Sequence, residues 1–178
     1  MKKKLMNNPE LSENEMKEFE QNVKDNMKRA YFTALGFVGS QDQALELSQE
    51  AFIRAYRHYG SFDKNKKFFT WYYRILKNLC LNFIRDSKKK KVSGFVEIAD
   101  MPWGMTPEES IELMELKDQV QAAIMKLNNE EREIIILKEF QNLSYKEIAE
   151  TLDIPVGTVM SKLFYSRKKL AFYLKEAR

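Results

Sequence analysis

The spacing of the apolar residues constrains this chain more than any other feature. They recur at three- and four-residue steps in two long blocks, with no alternating stretch. A period near 3.6 lines apolar side chains along one face of an α-helix, whereas a half-buried strand needs a period of two. In the first block Met16, Phe19, Val23, Met27, Tyr31, Leu35 and Val38 predict an amphipathic helix over roughly 12–38. Ser12-Glu13-Asn14-Glu15 supplies a capping box at its start, and Gly39-Ser40 breaks it. Asp42 can cap a second helix over roughly 42–58, with Leu45, Phe52, Ala55 and Tyr56 turned inward. Gly60 to Asp63 read as a loop. A third helix follows from about Thr70 to Ser87, with Trp71, Ile75, Leu79 and Phe83 on one side.

Periodicity is lost over residues 88–110, which hold a lysine run, Ser93-Gly94, Pro102, Gly104 and Pro107. This reads as a linker that ends where Pro107-Glu108-Glu109 opens a new helix, because proline and acids suit a helix's first turn. Helical spacing then returns. Val120, Ile124 and Leu127 mark one helix, and Asn129-Glu130-Glu131 caps the next, which carries Ile134, Ile135, Leu137 and Phe140. Two further helices are expected at roughly 144–152 and 156–175. Six glycines and four prolines in 178 residues are too few for a turn-rich sandwich or barrel. The expected fold class is all-α: two small helical domains, 12–91 and 117–178, joined by a flexible acidic linker, 92–116.

Charge follows the same division. The net charge of +4 resolves into +8 over residues 1–91, −6 over 92–116 and +2 over 117–178. Two basic pieces suit a polyanion, and the acidic connector is repelled by one. Lys2 to Lys4 read as a solvated tail. The start has no apolar core of the kind a secretory signal needs, and no apolar run approaches the ~18 residues of a membrane span, so membrane insertion is not expected. A single cysteine, Cys80, forms no internal disulfide; it fits a reducing compartment, and its place on the inner face of the third helix reads as packing. His58 is the only histidine, which leaves no His-based triad and no zinc cluster, and there is no glycine-rich phosphate loop. Neither enzymatic activity nor a cofactor or metal is expected.

Residues 144–175 read as a helix-turn-helix. Ile148, Ala149, Leu152, Ile154, Val159 and Leu163 are its apolar positions, and Asp153-Ile154-Pro155 is a short turn whose proline starts the second helix with the φ it needs. On a helical wheel the second helix buries Val159, Leu163, Leu170 and Leu174. Its other face carries Thr158, Ser161, Lys162, Tyr165, Lys168 and Lys169. A hydroxyl-and-lysine face suits the major groove, with early residues toward base edges and later cations toward phosphates. The bland reading is a structural hairpin with a solvated basic face; the short turn and its proline favour DNA.

Eight of the chain's 22 aromatic residues lie between Tyr56 and Tyr73, interleaved with Lys64, Lys66, Lys67 and Arg74. They fall all round the third helix's axis, more than one packed face would take. Rings beside cations suit unstacked bases and their backbone. Trp71 and about half of the other rings read as core, while Phe62, in a Gly/Ser/Asp loop, reads as a free ring. Asn78 and Asn82 lie a turn apart and can bond base edges. Arg85 and Lys88 to Lys91 end the helix with positive potential for duplex phosphates.

With these segments in view, the chain resembles the extracytoplasmic-function (ECF, group IV) RNA polymerase sigma factors. Residues 45–56, LELSQEAFIRAY, are similar to the family's polymerase-clamp helix, and residues 68–78, FFTWYYRILKN, to its promoter-opening helix. Residues 143–150, LSYKEIAE, and 155–159, PVGTV, resemble its second DNA-binding domain. Three motifs in the family's order span about residues 15–175. The resemblance implies that 12–91 is sigma region 2 and 117–178 sigma region 4. It places Glu46, Gln49, Glu50 and Ile53 on the clamp helices of the polymerase largest subunit. Phe62, Lys66, Lys67, Trp71, Arg74, Asn78, Asn82 and Arg85 would meet the −10 element, with the Phe62 loop and Asn78 capturing a flipped base. Thr158, Ser161, Lys162, Tyr165, Arg167 and Lys169 would read the −35 element. Met160 and Tyr165 stand where the family often has arginine, and neither can fork onto guanine.

The implied partners are bacterial RNA polymerase core, through its clamp helices and flap, promoter DNA both duplex and single-stranded, and an anti-sigma factor. The free chain is expected to be a cytoplasmic monomer. The rival reading is a stand-alone dimeric helix-turn-helix regulator binding paired half-sites. That protein needs neither the aromatic-basic segment nor the acidic connector.

Overall fold

A computed structural model of the chain describes residues 11–90 and 107–176. The lysines at 2–4, most of the expected linker, and the side chains of the run Lys88 to Lys91 lie outside the described residues. The first module begins with α1, Glu13–Val38, whose capping box forms as expected: the Ser12 hydroxyl accepts from the Glu15 N–H and the Glu15 carboxylate accepts from the Ser12 N–H. Gly39 ends it at φ 76°, the left-handed geometry that glycine adopts without strain. Helix α2, Gln41–Arg57, and α3, Phe68–Lys90, pack on α1 and on each other, with a single 3₁₀ turn at Tyr59–Ser61 between them.

Two expectations for this module need correcting. The N-cap of α2 is Ser40 rather than Asp42, and its side chain makes no capping bond; Asp42 instead places its charge in the first turn. The buried face of α2 is Ala44, Ser48, Ala51 and Ala55, and Leu45 is turned to solvent. Small residues let the α2 backbone approach its neighbours closely, so the helix is rotated relative to the reading based on its larger side chains. Met16 and Met27 are likewise exposed although they fit the apolar period of α1.

The second module holds α4, Pro107–Lys126, α5, Asn129–Ile135, a π-helical turn at Ile136–Phe140, α6, Tyr145–Leu152, and α7, Val156–Glu176. Helix α4 starts at Pro107, where the proline and acids put it, so Glu108, Glu109, Glu112 and Glu115 are helical although they fall within the acidic segment 92–116. The cap of α5 is Asn128, one residue earlier than expected, again in a capping box with Glu131. Asp153 takes φ 56° in the turn between α6 and α7, which aspartate tolerates better than most residues.

The two modules share one continuous core. It runs from Phe19, Ala34 and Phe37 of α1 through Tyr72, Tyr73 and Leu76 of α3 to Ile134, Ile136, Ile148 and Leu163 of the second module. The contact is closest where α1 meets the π turn. A Cβ added at Gly36 would lie 2.8 Å from both Cδ1 and Cγ1 of Ile136, so a larger residue there requires the Ile136 side chain to shift. Polar groups ring this point. The Arg29 guanidinium donates to the Gln141 side chain at 2.6 Å, and Gln141 donates to the Thr33 hydroxyl at 2.8 Å. Tyr73 donates to Glu133 at 2.8 Å, and Lys77 pairs with the same carboxylate at 2.6 Å.

Candidate nucleic-acid and polymerase surfaces

The free face of α3 carries Arg74, Asn78, Asn82 and Arg85, all exposed. Their spacing of four, four and three residues keeps them on one side of the helix. Lys66 and Lys67 are exposed in the loop just before it, and Trp71 lies half-buried at the head of the stripe. Two of these cations already have partners: Arg85 bonds Asp86 at 3.2 Å, and Lys67 pairs with Glu147 of α6, in the other module. Two amides flanked by guanidinium groups, with an indole at the head, can hydrogen-bond base edges and meet phosphates on the same strand.

The aromatic cluster is packed more completely than its distribution around α3 suggests. Tyr59, Phe62, Phe68, Phe69, Tyr72 and Tyr73 are all buried, and Tyr56 and Trp71 are half-buried. They fit because α3 is covered on several sides at once. Tyr72 faces α2, where its ring stacks on Phe52 at 4.4 Å and its hydroxyl donates to the Ser48 carbonyl. Phe69 faces α1, with the Arg29 guanidinium 3.7 Å above its ring, and Tyr73 faces α5. Burial, reinforced by the Glu133 charge, raises the Tyr73 phenol well above its ordinary pKa. Phe62, expected as a free ring, follows the 3₁₀ turn with its side chain 9% exposed, 5.1 Å from Trp71 and 5.7 Å from both Tyr59 and Phe68. A ring held this way is a wall of the cluster and offers no open face to a base.

On α7 the residues predicted to face DNA divide into two sets. Ser161 and Tyr165 are exposed, and Thr158 is half-buried above Val159. Lys162, Arg167 and Lys169 instead reach back to acids of the same module: Glu130, Glu139 at 2.6 Å and Glu131 at 3.0 Å. These pairs correct the reading of Lys162 and Lys169 as solvent-facing, since both are half-buried beside α5. The bond from Lys162 holds the Glu130 carboxyl below its ordinary pKa, and Glu139 raises that of Arg167. Leu170 and Leu174, expected in the core, are half-buried, while Val159, Leu163 and Ser166 are fully covered. The open face includes three large apolar side chains that the hydroxyl-and-lysine pattern passed over: Met160, Phe164 and Phe172. Among the described residues Lys168 has no ion-pair partner.

On α2, Glu46, Gln49 and Ile53 are exposed together with Leu45, and Glu50 is half-buried and bonded to Arg54 at 2.7 Å. This makes an apolar centre with an acidic edge, on a helix packed only through its opposite, alanine-rich face. His58 is exposed at the C-terminus of α2. Cys80 is fully buried, and burial pushes its thiol up to about 12. Among the described residues no group of acidic, histidine or cysteine side chains is arranged to hold a metal, and no helix is long and apolar enough to cross a membrane.

An amide-and-guanidinium stripe on one helical module, beside a helix-turn-helix on a second, defines a DNA-binding transcription protein. Comparison with known proteins is more specific. The sequence model described as Sigma-70 region 2 matches residues 23–90, and that described as Sigma-70, region 4 matches residues 117–170. The chain is 36% identical over 163 residues to the ECF RNA polymerase sigma factor SigW of Bacillus subtilis, covering 83% of this chain and 84% of that one. It is 34% identical over 134 residues to the ECF RNA polymerase sigma-E factor of Escherichia coli K12, covering 70% of each. In fold it is similar to the sigma factor RpoE of Bartonella quintana, solved in complex with the anti-sigma factor NepR, with a TM-score of 0.70, 23% identity, and 91% of this chain and 99% of that one covered. It is also similar to CnrH, solved with the cytosolic domain of CnrY, with a TM-score of 0.67, 21% identity and 90% of each chain covered. The chain belongs to the ECF RNA polymerase sigma factors. It is an all-α transcription-initiation factor that directs RNA polymerase to promoters.

Proposed function

We propose that three exposed surfaces divide the work. The α2 face of Leu45, Glu46, Gln49, Glu50 and Ile53 docks on the clamp helices of the polymerase largest subunit. The α3 stripe of Trp71, Arg74, Asn78, Asn82 and Arg85, with Lys66 and Lys67, receives the −10 element and holds bases out of the duplex. Helix α7 meets the −35 element through Thr158, Ser161 and Tyr165. Residues 12–91 then act as region 2 and 117–178 as region 4, on polymerase in the cytoplasm. An anti-sigma factor is the partner that would hold the chain inactive.

The observation that carries this reading is the exposed Arg74-Asn78-Asn82-Arg85 line beside a packed aromatic wall. Opening DNA requires no bond-making side chain. Base stacking costs ~1.4 kcal/mol per step, and capture of an unstacked base on a fixed surface returns ~1–3 kcal/mol. The chain's contribution is therefore to present the Asn78 and Asn82 amides and the half-buried Trp71 ring already in place. On α7 the cations nearest the groove are held by acids, and the open side chains are Met160, Ser161, Phe164 and Tyr165. Apolar side chains meet the thymine methyl, so the −35 preference rests on A·T pairs more than on guanine.

Run-off transcription with purified core polymerase tests the reading. Asn78→Ala should leave core binding and the melting temperature unchanged and lower open-complex formation at least tenfold by permanganate footprinting. Normal melting of the −10 region by Asn78→Ala would refute the assignment.

A further inference from the structure

The first turns of a recognition helix are the part that meets base edges, and in α7 they are short of hydrogen-bonding groups. The helix holds no asparagine or glutamine, and its one arginine, Arg167, is bonded to Glu139 at 2.6 Å. Lys162 and Lys169 are drawn to Glu130 and Glu131. The Ser161 hydroxyl spends its only proton on the Thr158 carbonyl at 3.1 Å. Lys168 has no ion-pair partner among the described residues, but it stands two turns, ~12 Å, beyond Met160. At that distance a cation meets phosphates rather than base edges. The side chains left open at the reading end are apolar: Met160 is 54% exposed and Phe164 63% exposed, with the Tyr165 ring perpendicular to Phe164 at 5.4 Å.

We propose that α7 binds the 5-methyl group of pyrimidines, through Met160 and Phe164, so that 5-methylcytosine can stand in for thymine and uracil cannot. The proposal rests on the reading that α7 meets the −35 element. In the major groove thymine differs from cytosine in two ways, a methyl at C5 and an O4 acceptor where cytosine has an N4 donor. A thioether and a phenyl ring have no group for the second difference and can register only the first. Met160 and Phe164 line an open, mostly apolar groove of about 510 Å³ with Tyr145, Leu163, Arg167 and Lys168. That is room for several groups of methyl or water size at ~30 Å³ each. One helical turn, ~6 Å, separates Met160 from Phe164 along the axis, close to two base steps of ~3.4 Å. Two methyls on pyrimidines within about two base pairs of each other therefore fall against the two side chains. Removing one methyl from water against an apolar surface is a gain of about fourfold in affinity, and the pair together about 15-fold.

The test uses the full chain bound to purified core polymerase. The complex first selects from a promoter library randomised at the −35 element. The best duplex is then remade with uracil for every thymine of the −35 element, the −10 element being left natural, and separately with cytosine or 5-methylcytosine at the same positions. Uracil keeps every hydrogen-bonding group of thymine and lacks only the methyl. It should weaken binding about 15-fold, and 5-methylcytosine should bind about fourfold more tightly per methyl than cytosine. Met160→Ala and Phe164→Ala should each shrink the uracil effect to about fourfold, and Met160→Leu, which keeps the apolar volume, should preserve it. Both side chains are exposed, so the alanine variants should melt with the wild type. Equal binding of thymine and uracil duplexes, with a −35 preference still present, overturns the methyl reading and leaves α7 at the −35 element. A uracil effect that both alanine variants leave intact places the methyl contact elsewhere and overturns it too. A library in which no −35 sequence is preferred, while the −10 element still opens, overturns the placing of α7 and the methyl reading together.

Discussion

Arg132 offers the most direct measure of how the second module is held together. It is 5% exposed, and its guanidinium faces carbonyls rather than a carboxylate. Nη1 donates to Phe37 at 2.8 Å, Nη2 to Met125 at 2.7 Å and to Leu127 at 2.9 Å, and Nε to Ile124 at 3.2 Å. These are the orphan carbonyls at the C-termini of α4 and α1, where the helix dipoles favour a cation. Burial lowers the Arg132 pKa, yet the group remains charged across the physiological range. Arg132→Met keeps much of the volume and removes every donor. The Ile124 carbonyl retains the Leu127 N–H at 3.1 Å, so Phe37, Met125 and Leu127 are the three stranded. At ~1 kcal/mol for each buried carbonyl left unmet, the low end because some regain water, the loss is about 3 kcal/mol. For a chain of this size that lowers Tm by ~6–12 °C. Arg132→Lys keeps the charge without the planar fork and should lose about half as much. Thermal melts followed by circular dichroism at 222 nm decide it. A methionine variant that melts within about 2 °C of wild type, or below which lysine brings no recovery, would show that the carbonyls are satisfied without the guanidinium.

Three further outcomes follow from the same geometry. Phe62→Ala opens a hole in the aromatic wall and should cost ~3 kcal/mol of stability in urea denaturation, with Phe62→Leu costing less; a neutral Phe62→Ala would return the ring to the role of a free, base-binding group. Glu147 is held down to about 2 by the Lys67 bond first and by its capping box with Ser144, against an ordinary 4.5. A depressed carboxylate contributes stability that is present above its unfolded pKa and is lost as pH falls through the folded value. Urea midpoints of the wild type should therefore drop between about pH 4.5 and 2, and those of Glu147→Gln should drop less over the same window. Glu139→Gln releases Arg167 from its acid partner, so the affinity of the chain for a −35 duplex, measured by fluorescence anisotropy, should rise and its log–log salt slope should steepen by about 0.9; an unchanged slope would mean that Arg167 does not reach a phosphate.

Much of the fold was legible because its signals are local. The capping box at Ser12, the glycine stop at Gly39 and the proline start at Pro107 act within four residues of chain, and the helices begin and end within two or three residues of where those signals put them; the α5 cap, expected at Asn129, falls one residue earlier at Asn128. The helix-turn-helix was legible for the same reason. Its turn, its proline and its apolar positions all lie within about thirty residues, and local spacing is what a helical wheel reads. The failures share a cause too. Leu45 points inward by its type, but Ala44 and Ser48 hold that face of α2 because α1 and α3 come close. Phe62 points outward by its loop, but three rings from elsewhere in the cluster cover it. Lys162 and Lys169 face solvent on a helical wheel, but Glu130 and Glu131, more than thirty residues away, draw them in.

The sequence by itself determined which segments are helical, where they stop, that their polar faces suit a polyanion, and to which family they belong. The helices and their ends are encoded in periods and caps shorter than one helix, and the family in the resemblance carried by residues 45–56, 68–78 and 143–159. Only the tertiary structure decided which rings are walls and which cations are already paired, and that Gly36 is a socket for Ile136. Those outcomes depend on residues brought together across separate elements, as far apart as Gly36 and Ile136. Burial is a property of the neighbours a face acquires, and a chain read in one dimension carries no neighbour list beyond the next turn.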